Sequence, residues 1–111
     1  MENQLMNATV EASLPPLYSQ EERGDAALAQ VKYFCLTSDW RWYASEYNPE
    51  EKLFFGLVHG FEAELGYFSL EEFEALNAAS GLPVIERDLY WKPMSIGQIK
   101  QEIEEYGSCR R

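Results

Sequence analysis

Between Ala29 and Phe68 the chain repeats one pattern: short runs in which aromatic and β-branched residues alternate with other residues, each run bounded by turn-forming residues. Alternation with a period of two sends successive side chains to opposite faces of a strand, so this stretch predicts consecutive strands. In Ala29 to Leu36, Val31, Tyr33 and Cys35 fall on one face and Lys32, Phe34 and Leu36 on the other, and Thr37-Ser38-Asp39 then turns the chain. From Trp40 to Tyr47, Trp40, Trp42 and Ala44 share a face opposite Arg41, Tyr43 and Ser45. The tryptophan face is expected to be core, with both indoles buried, because large apolar rings are costly to expose. Asn48-Pro49-Glu50-Glu51 is turn chemistry, and Lys52 to Gly60 and Phe61 to Phe68 are two apolar runs separated by glycine, as in a hairpin or a bent strand. Strands in this order predict an antiparallel meander.

Helix signals flank the strands. Ser69-Leu70-Glu71-Glu72 and Ser95 with Gln98 have the form of capping boxes, in which a hydroxyl accepts from the amide three residues on. The first opens a helix with Leu70, Phe73 and Leu76 on one stripe, ending before Gly81; the second opens one whose stripe is Ile96, Ile99 and Ile103, with Tyr106 a turn further on. Ser19-Gln20-Glu21-Glu22 has the same form and predicts a short helical turn ending at Gly24, after the extended Leu14-Pro15-Pro16. Glu86 to Trp91 reads as a further strand. At 111 residues, 46% of them hydrophobic, the chain suits one self-sufficient core. The expected fold is α+β: an antiparallel sheet of about four to five strands with two to three short helices packed on one face, spanning residues 14–111. Residues 1–13, polar and aperiodic, are expected to be a flexible N-terminal arm.

The charge is strongly one-signed, with 19 Asp and Glu against nine Lys and Arg and a net charge of -10. That excludes direct nucleic-acid binding as the main task, since its affinity comes from clustered Lys and Arg on phosphates. Glu46, Glu50, Glu51, Glu62, Glu64, Glu71, Glu72 and Glu74 lie between Trp42 and Glu74, where Lys52 is the single base. These glutamates, the first seven above all, are the candidate partner-binding residues, expected to form a one-sided negative field that draws in a basic protein surface. Met1 to Leu14 carries neither a basic cluster nor an apolar run of the secretory type, and no stretch approaches the ~18 apolar residues that cross a bilayer, so a cytoplasmic protein without a membrane partner is expected. Cys35 and Cys109 match no metal or redox spacing and are expected to stay reduced.

Catalytic signals are sparse. His59 is the only histidine, so imidazole chemistry would have to use it, paired with Cys35 or a nearby carboxylate. Glu62 and Glu64, two apart in a strand-like run, would project from one face at ~7 Å spacing, a geometry open to paired-carboxylate chemistry or to a solvated sheet face. There is no metal-ligand motif, and Gly56, Gly60 and Gly66 do not form a phosphate loop, so no metal, cofactor or catalytic set is expected.

The blocks LPPLYSQE (14 to 21), VKYF (31 to 34), WRWYASEY (40 to 47), FFGLVHGFEAELGYFSLEE (54 to 72) and LPVIERDLYWKP (82 to 93) together resemble a family of short bacterial proteins known as a domain of unknown function. The resemblance implies plasmids, conjugative elements and phages as context and a bacterial cytoplasm; it transfers no activity and no catalytic residue. Joined with the acidity, it leads to the expectation of a non-enzymatic accessory protein of a mobile genetic element. Such a protein would bind and inhibit a nucleic-acid-handling protein, of the anti-CRISPR or anti-restriction type. The alternatives are a small hydrolase or transferase using His59 and Glu62/Glu64, and a general protein-interaction module.

Overall fold

A computed structural model describes residues 4–106. In chain order these form α1 (Ala8–Ser13), a 3-10 segment (Glu21–Ala26), β1 (Leu28–Ala29), β2 (Val31–Cys35), β3 (Arg41–Asn48), β4 (Leu53–His59), β5 (Ala63–Ser69), α2 (Leu70–Ser80), β6 (Ile85–Arg87), β7 (Met94–Ser95) and α3 (Ile96–Tyr106). The expected meander is present as an antiparallel five-stranded sheet in the order β5-β4-β3-β2-β6, and β1 pairs with β7 in a small second sheet. The strand read over Glu86 to Trp91 is shorter, because Asp88 accepts the Tyr90 amide on its side chain and turns the chain after Arg87.

The sheet is covered on both faces, which corrects the expectation of helices on one. Leu70 and Phe73 of α2 are buried with Tyr33, Phe54 and Phe68, whereas Ile96 and Ile99 of α3 are buried with Tyr43 and Leu57. Tyr43 and Ala44 are neighbours on β3 yet belong to these two different cores, so the cores lie on opposite faces. Central β3 is accordingly buried without a break from Tyr43 to Tyr47, the mark of a strand covered on both sides. Trp40 and Trp42 are only half-buried: Trp42 packs its ring 4.9 Å from Phe73 of α2 at the margin of the first core, and Trp40, one pair of residues further out, stands 5.5 Å from the exposed Phe61. Leu76 of α2, expected in the core, is exposed.

One irregularity re-aims side chains. Ala44 pairs with Gly56 and Glu46 with Phe55, so Ser45 is an extra residue, a β-bulge. Strict alternation from Trp42 would send Glu46 to the α2 face; the bulge sends Tyr47 there instead and turns Glu46 to the α3 face.

Two of the expected capping boxes are made: the Ser69 hydroxyl accepts the Glu72 amide and the Ser95 hydroxyl the Gln98 amide. The third is not. Ser19 donates its hydroxyl to the Pro16 carbonyl, the 3-10 segment has no side-chain cap, and the turn leading into it is held from a distance by Glu46 through the Tyr18 and Gln20 amides. The stretch read as a loose arm is docked from Gln4 onward. Leu5 and Leu14 are buried, Asn7 caps α1 through the Val10 amide, and the Gln4 carbonyl accepts from Arg87.

The docked segment yields a pH prediction. The Tyr33 hydroxyl donates to the Leu5 carbonyl at 2.6 Å beneath the core aromatics. Burial pushes its pKa well above the ordinary value of 10.0, against the opposing pull of Arg87 and with Tyr47 and Glu74 adding to the rise. A pKa raised in the folded state contributes stability that is intact below the unfolded value and lost as the pH climbs past it. Tyr33→Phe should therefore lower stability by about 1 kcal/mol at neutral pH through the lost hydrogen bond, and the gap to the parent should close from about pH 10 upward. Urea melts at neutral pH and above pH 10 measure this; a gap that widens in alkali would contradict it.

Candidate functional site

The acidic residues resolve into three settings. Glu46 is buried, 3% exposed, and is removed from the partner-binding set. Re-aimed by the bulge, its carboxylate accepts the Tyr18 amide at 2.7 Å on one oxygen and the Gln20 amide at 2.8 Å on the other. It thereby holds Tyr18 in the left-handed region at φ 74. Charge-assisted bonds to backbone amides are among the stronger hydrogen bonds, so this carboxylate is an internal clamp.

Glu50 and Glu51 stand on the β3–β4 turn, and Glu71, Glu72 and Glu74 on the first turns of α2; all five are exposed. The sheet brings the two groups to one end, because Leu53 pairs with Ser69 and the Leu70 amide donates to the Lys52 carbonyl. Lys52 lies between them and pairs with Glu74 at 3.2 Å. Glu62 and Glu64 are at the other end of the same hairpin, about 20 Å away at the rise of a seven-residue strand. A single continuous acidic face does not form.

Glu62 lies in the Gly60-Phe61-Glu62 bend, not in a strand as expected, while Glu64 is on β5 opposite Val58. Both nevertheless line one open hollow of about 440 Å³ with Trp40, Phe61 and Gly66. Phe61, 94% exposed, stands edge-on to Trp40, and Gly60 lets the indole lie against the backbone, since a Cβ there would come within 2.5 Å of the ring. On the opposite face of β5, Leu65 and Tyr67 are 46% and 50% exposed, and with Tyr18, 64% exposed, they ring a narrower cavity of about 220 Å³ floored by Ser45, Glu46 and Phe55. A hydrogen bond with the Tyr18 side chain is the first cause of a raised Tyr67 pKa, followed by desolvation and nearby Glu46 and Glu21.

The residues considered for catalysis do not converge. His59 pairs with Arg41 and Ala63 and so projects from the α3 side, whereas Cys35 and Glu64 project from the α2 side. Burial raises the Cys35 thiol, but hydrogen bonds from Ser38 and Thr37 outweigh it and hold the pKa below the ordinary value. Cys109 lies outside the described residues. Among the described residues no group of three or more His, Cys, Asp and Glu is placed to hold a metal ion, and no helix is long and apolar enough to cross a membrane.

Sequence reasoning missed Tyr18, Leu65 and Tyr67. The run Phe61 to Phe68 was read as apolar and strand-like, but nothing local said that β5 would be an edge or that Tyr18 would lie beside Tyr67. Searches of curated proteins and of solved structures find no match. A family model described as a protein of unknown function, DUF2958, matches residues 5–107, which is nearly the whole chain, and the protein belongs to that family.

Proposed function

We propose that this protein is a non-enzymatic binding protein that occupies a basic surface of a nucleic-acid-handling protein and so inhibits it. The observation that carries the reading is the acidic end of the sheet, where Glu50, Glu51, Glu71 and Glu72 are exposed on two neighbouring turns. A surface built to hold phosphates offers clustered Lys and Arg, and a rigid set of carboxylates competes for the same charges. The resemblance to proteins of plasmids, conjugative elements and phages supports a restriction or CRISPR effector as the target, met in the bacterial cytoplasm.

The test is a charge reversal. The variant E50K/E51K/E71K/E72K should fold normally, since exposed charges usually change stability by no more than ~0.5 kcal/mol each. It should fail to retain from bacterial lysate the nucleic-acid-binding proteins that the parent retains at low salt and releases at high salt. The recovered protein should lose DNA or RNA binding when the parent is added. Equal retention by parent and variant, or a target whose nucleic-acid binding is unaffected, would overturn the proposal.

A further inference from the structure

The two edges of the sheet are treated differently. At β6 the outer side is closed: the Asn77 side chain accepts the Ile85 amide at 2.9 Å and donates to the Ile85 carbonyl at 3.0 Å, standing in for a strand. At the other edge β5 is terminal, seven residues long and in unbroken register with β4 from Leu53–Ser69 to His59–Ala63, and among the described residues no strand pairs with its outer side. Edges of this kind are usually blunted by charged side chains, Pro, a bulge or a covering segment; β5 has no Lys, no Pro and no bulge, its one charge is Glu64, and Tyr18 stands beside Tyr67 on one of its faces.

We propose that the β5 edge is a docking site for an extended basic segment of a partner protein, which adds as a sixth strand with alternating apolar and Lys or Arg side chains. An added strand lies ~4.8 Å from β5 and sends its residues alternately to the two faces. On one face they meet Leu65 and Tyr67 at the mouth of the 220 Å³ cavity, which suits an aliphatic or aromatic side chain. On the other they meet Glu62 and Glu64 beside the exposed Phe61 and Trp40, where an ammonium or guanidinium gains both carboxylates and aromatic faces. Charge chooses between this occupant and a second copy: two chains of net charge -10 pairing through β5 would each bring the same Glu62 and Glu64 to the joint. The site rests on the reading that the partner is basic and extends it to a second region of the surface.

The probe is a blocked seven-residue peptide alternating Lys with Val and Phe, titrated at about 0.15 M salt, where screening acts over ~8 Å. Indole fluorescence reports binding, since Trp40 lines the hollow. Glu64→Lys, at an exposed position whose change should leave the melting curve in place, and Tyr67→Ala, which also gives up the ring contact with Phe55 and so is assayed well below its own Tm, should each weaken binding about tenfold. Methylating alternate peptide amides on the edge-facing side should abolish it, because backbone hydrogen bonds carry strand addition. Four outcomes overturn the proposal: no binding of the peptide at millimolar concentration, equal binding of the methylated peptide, unchanged affinity in both variants, and a concentration-dependent dimer that Tyr67→Ala dissociates. The variant E50K/E51K/E71K/E72K should bind the peptide within about twofold of the parent, those residues lying at the other end of the hairpin. A failure of the acidic end is thereby distinguished from a failure of the β5 edge.

Discussion

Glu46→Ala is expected to destabilise the protein by about 3 kcal/mol and to lower Tm by on the order of 10 °C, a large effect for a residue first read as surface charge. The carboxylate takes two backbone amides, those of Tyr18 and Gln20, and each loses its partner in the alanine variant. Both bonds are part-buried and each joins an amide to a charged acceptor, a kind of bond worth roughly 1.5–3 kcal/mol, and the left-handed Tyr18 loses the bond that holds it. Glu46→Gln should fall about midway, because an amide can accept one of the two N–H groups while its own NH₂ faces the other. Tyr18 also rims the cavity beside β5, so the alanine variant should loosen that rim before the sheet melts. Thermal melts of the three proteins, with hydrogen exchange at residues 18–20, provide the measurement. An alanine variant melting with the parent would show that the clamp adds nothing.

Gly56→Ala should be comparably damaging, at about 3 kcal/mol or more, and for a different reason. Gly56 lies opposite Ala44 at the bulge, and a Cβ there would overlap the Tyr43 carbonyl oxygen and press on the Ala44 backbone. Neither can move without disturbing β3, the central strand buried on both faces. Its cross-strand partner Gly66 is the internal control: a Cβ there meets nothing within 4 Å. Gly66→Ala should therefore be neutral or stabilising by up to ~1 kcal/mol, since glycine in a strand costs conformational entropy. Denaturant titrations of both variants test the pair, and equal Cm values for the two would contradict the geometry at Gly56.

Much of the architecture was legible because it is local. The period-two runs placed β2 to β5, and Asn48-Pro49-Glu50-Glu51 and the glycine near 60 placed the turns between them. Ser69 and Ser95 marked the starts of α2 and α3, since a cap depends on residues three apart and little else. Ser19 shows the limit. It has the same local pattern, yet its hydroxyl turned back to the Pro16 carbonyl, and the Tyr18 and Gln20 amides on either side of it went to a carboxylate 26 to 28 residues away in sequence, which leaves no trace in the local pattern.

The amino-acid sequence by itself determined the α+β class, the antiparallel meander, the helices α2 and α3 and the acidity, because these follow from periodicity, capping and charge over a few residues. Tertiary structure alone decided three things. Helices α2 and α3 went to opposite faces, since the central sheet carries apolar side chains on both sides, Tyr33 and Phe54 on one and Tyr43 and Leu57 on the other, and each set needs a cover. The bulge at Ser45 reversed the alternation beyond Ala44, turning Glu46 from a surface charge into a buried clamp, because one extra residue exchanges the faces of everything that follows it. Strand order left β5 as an open edge while Asn77 closed the other, a matter of which distant segments meet, so Leu65 and Tyr67 became surface only when the sheet was assembled.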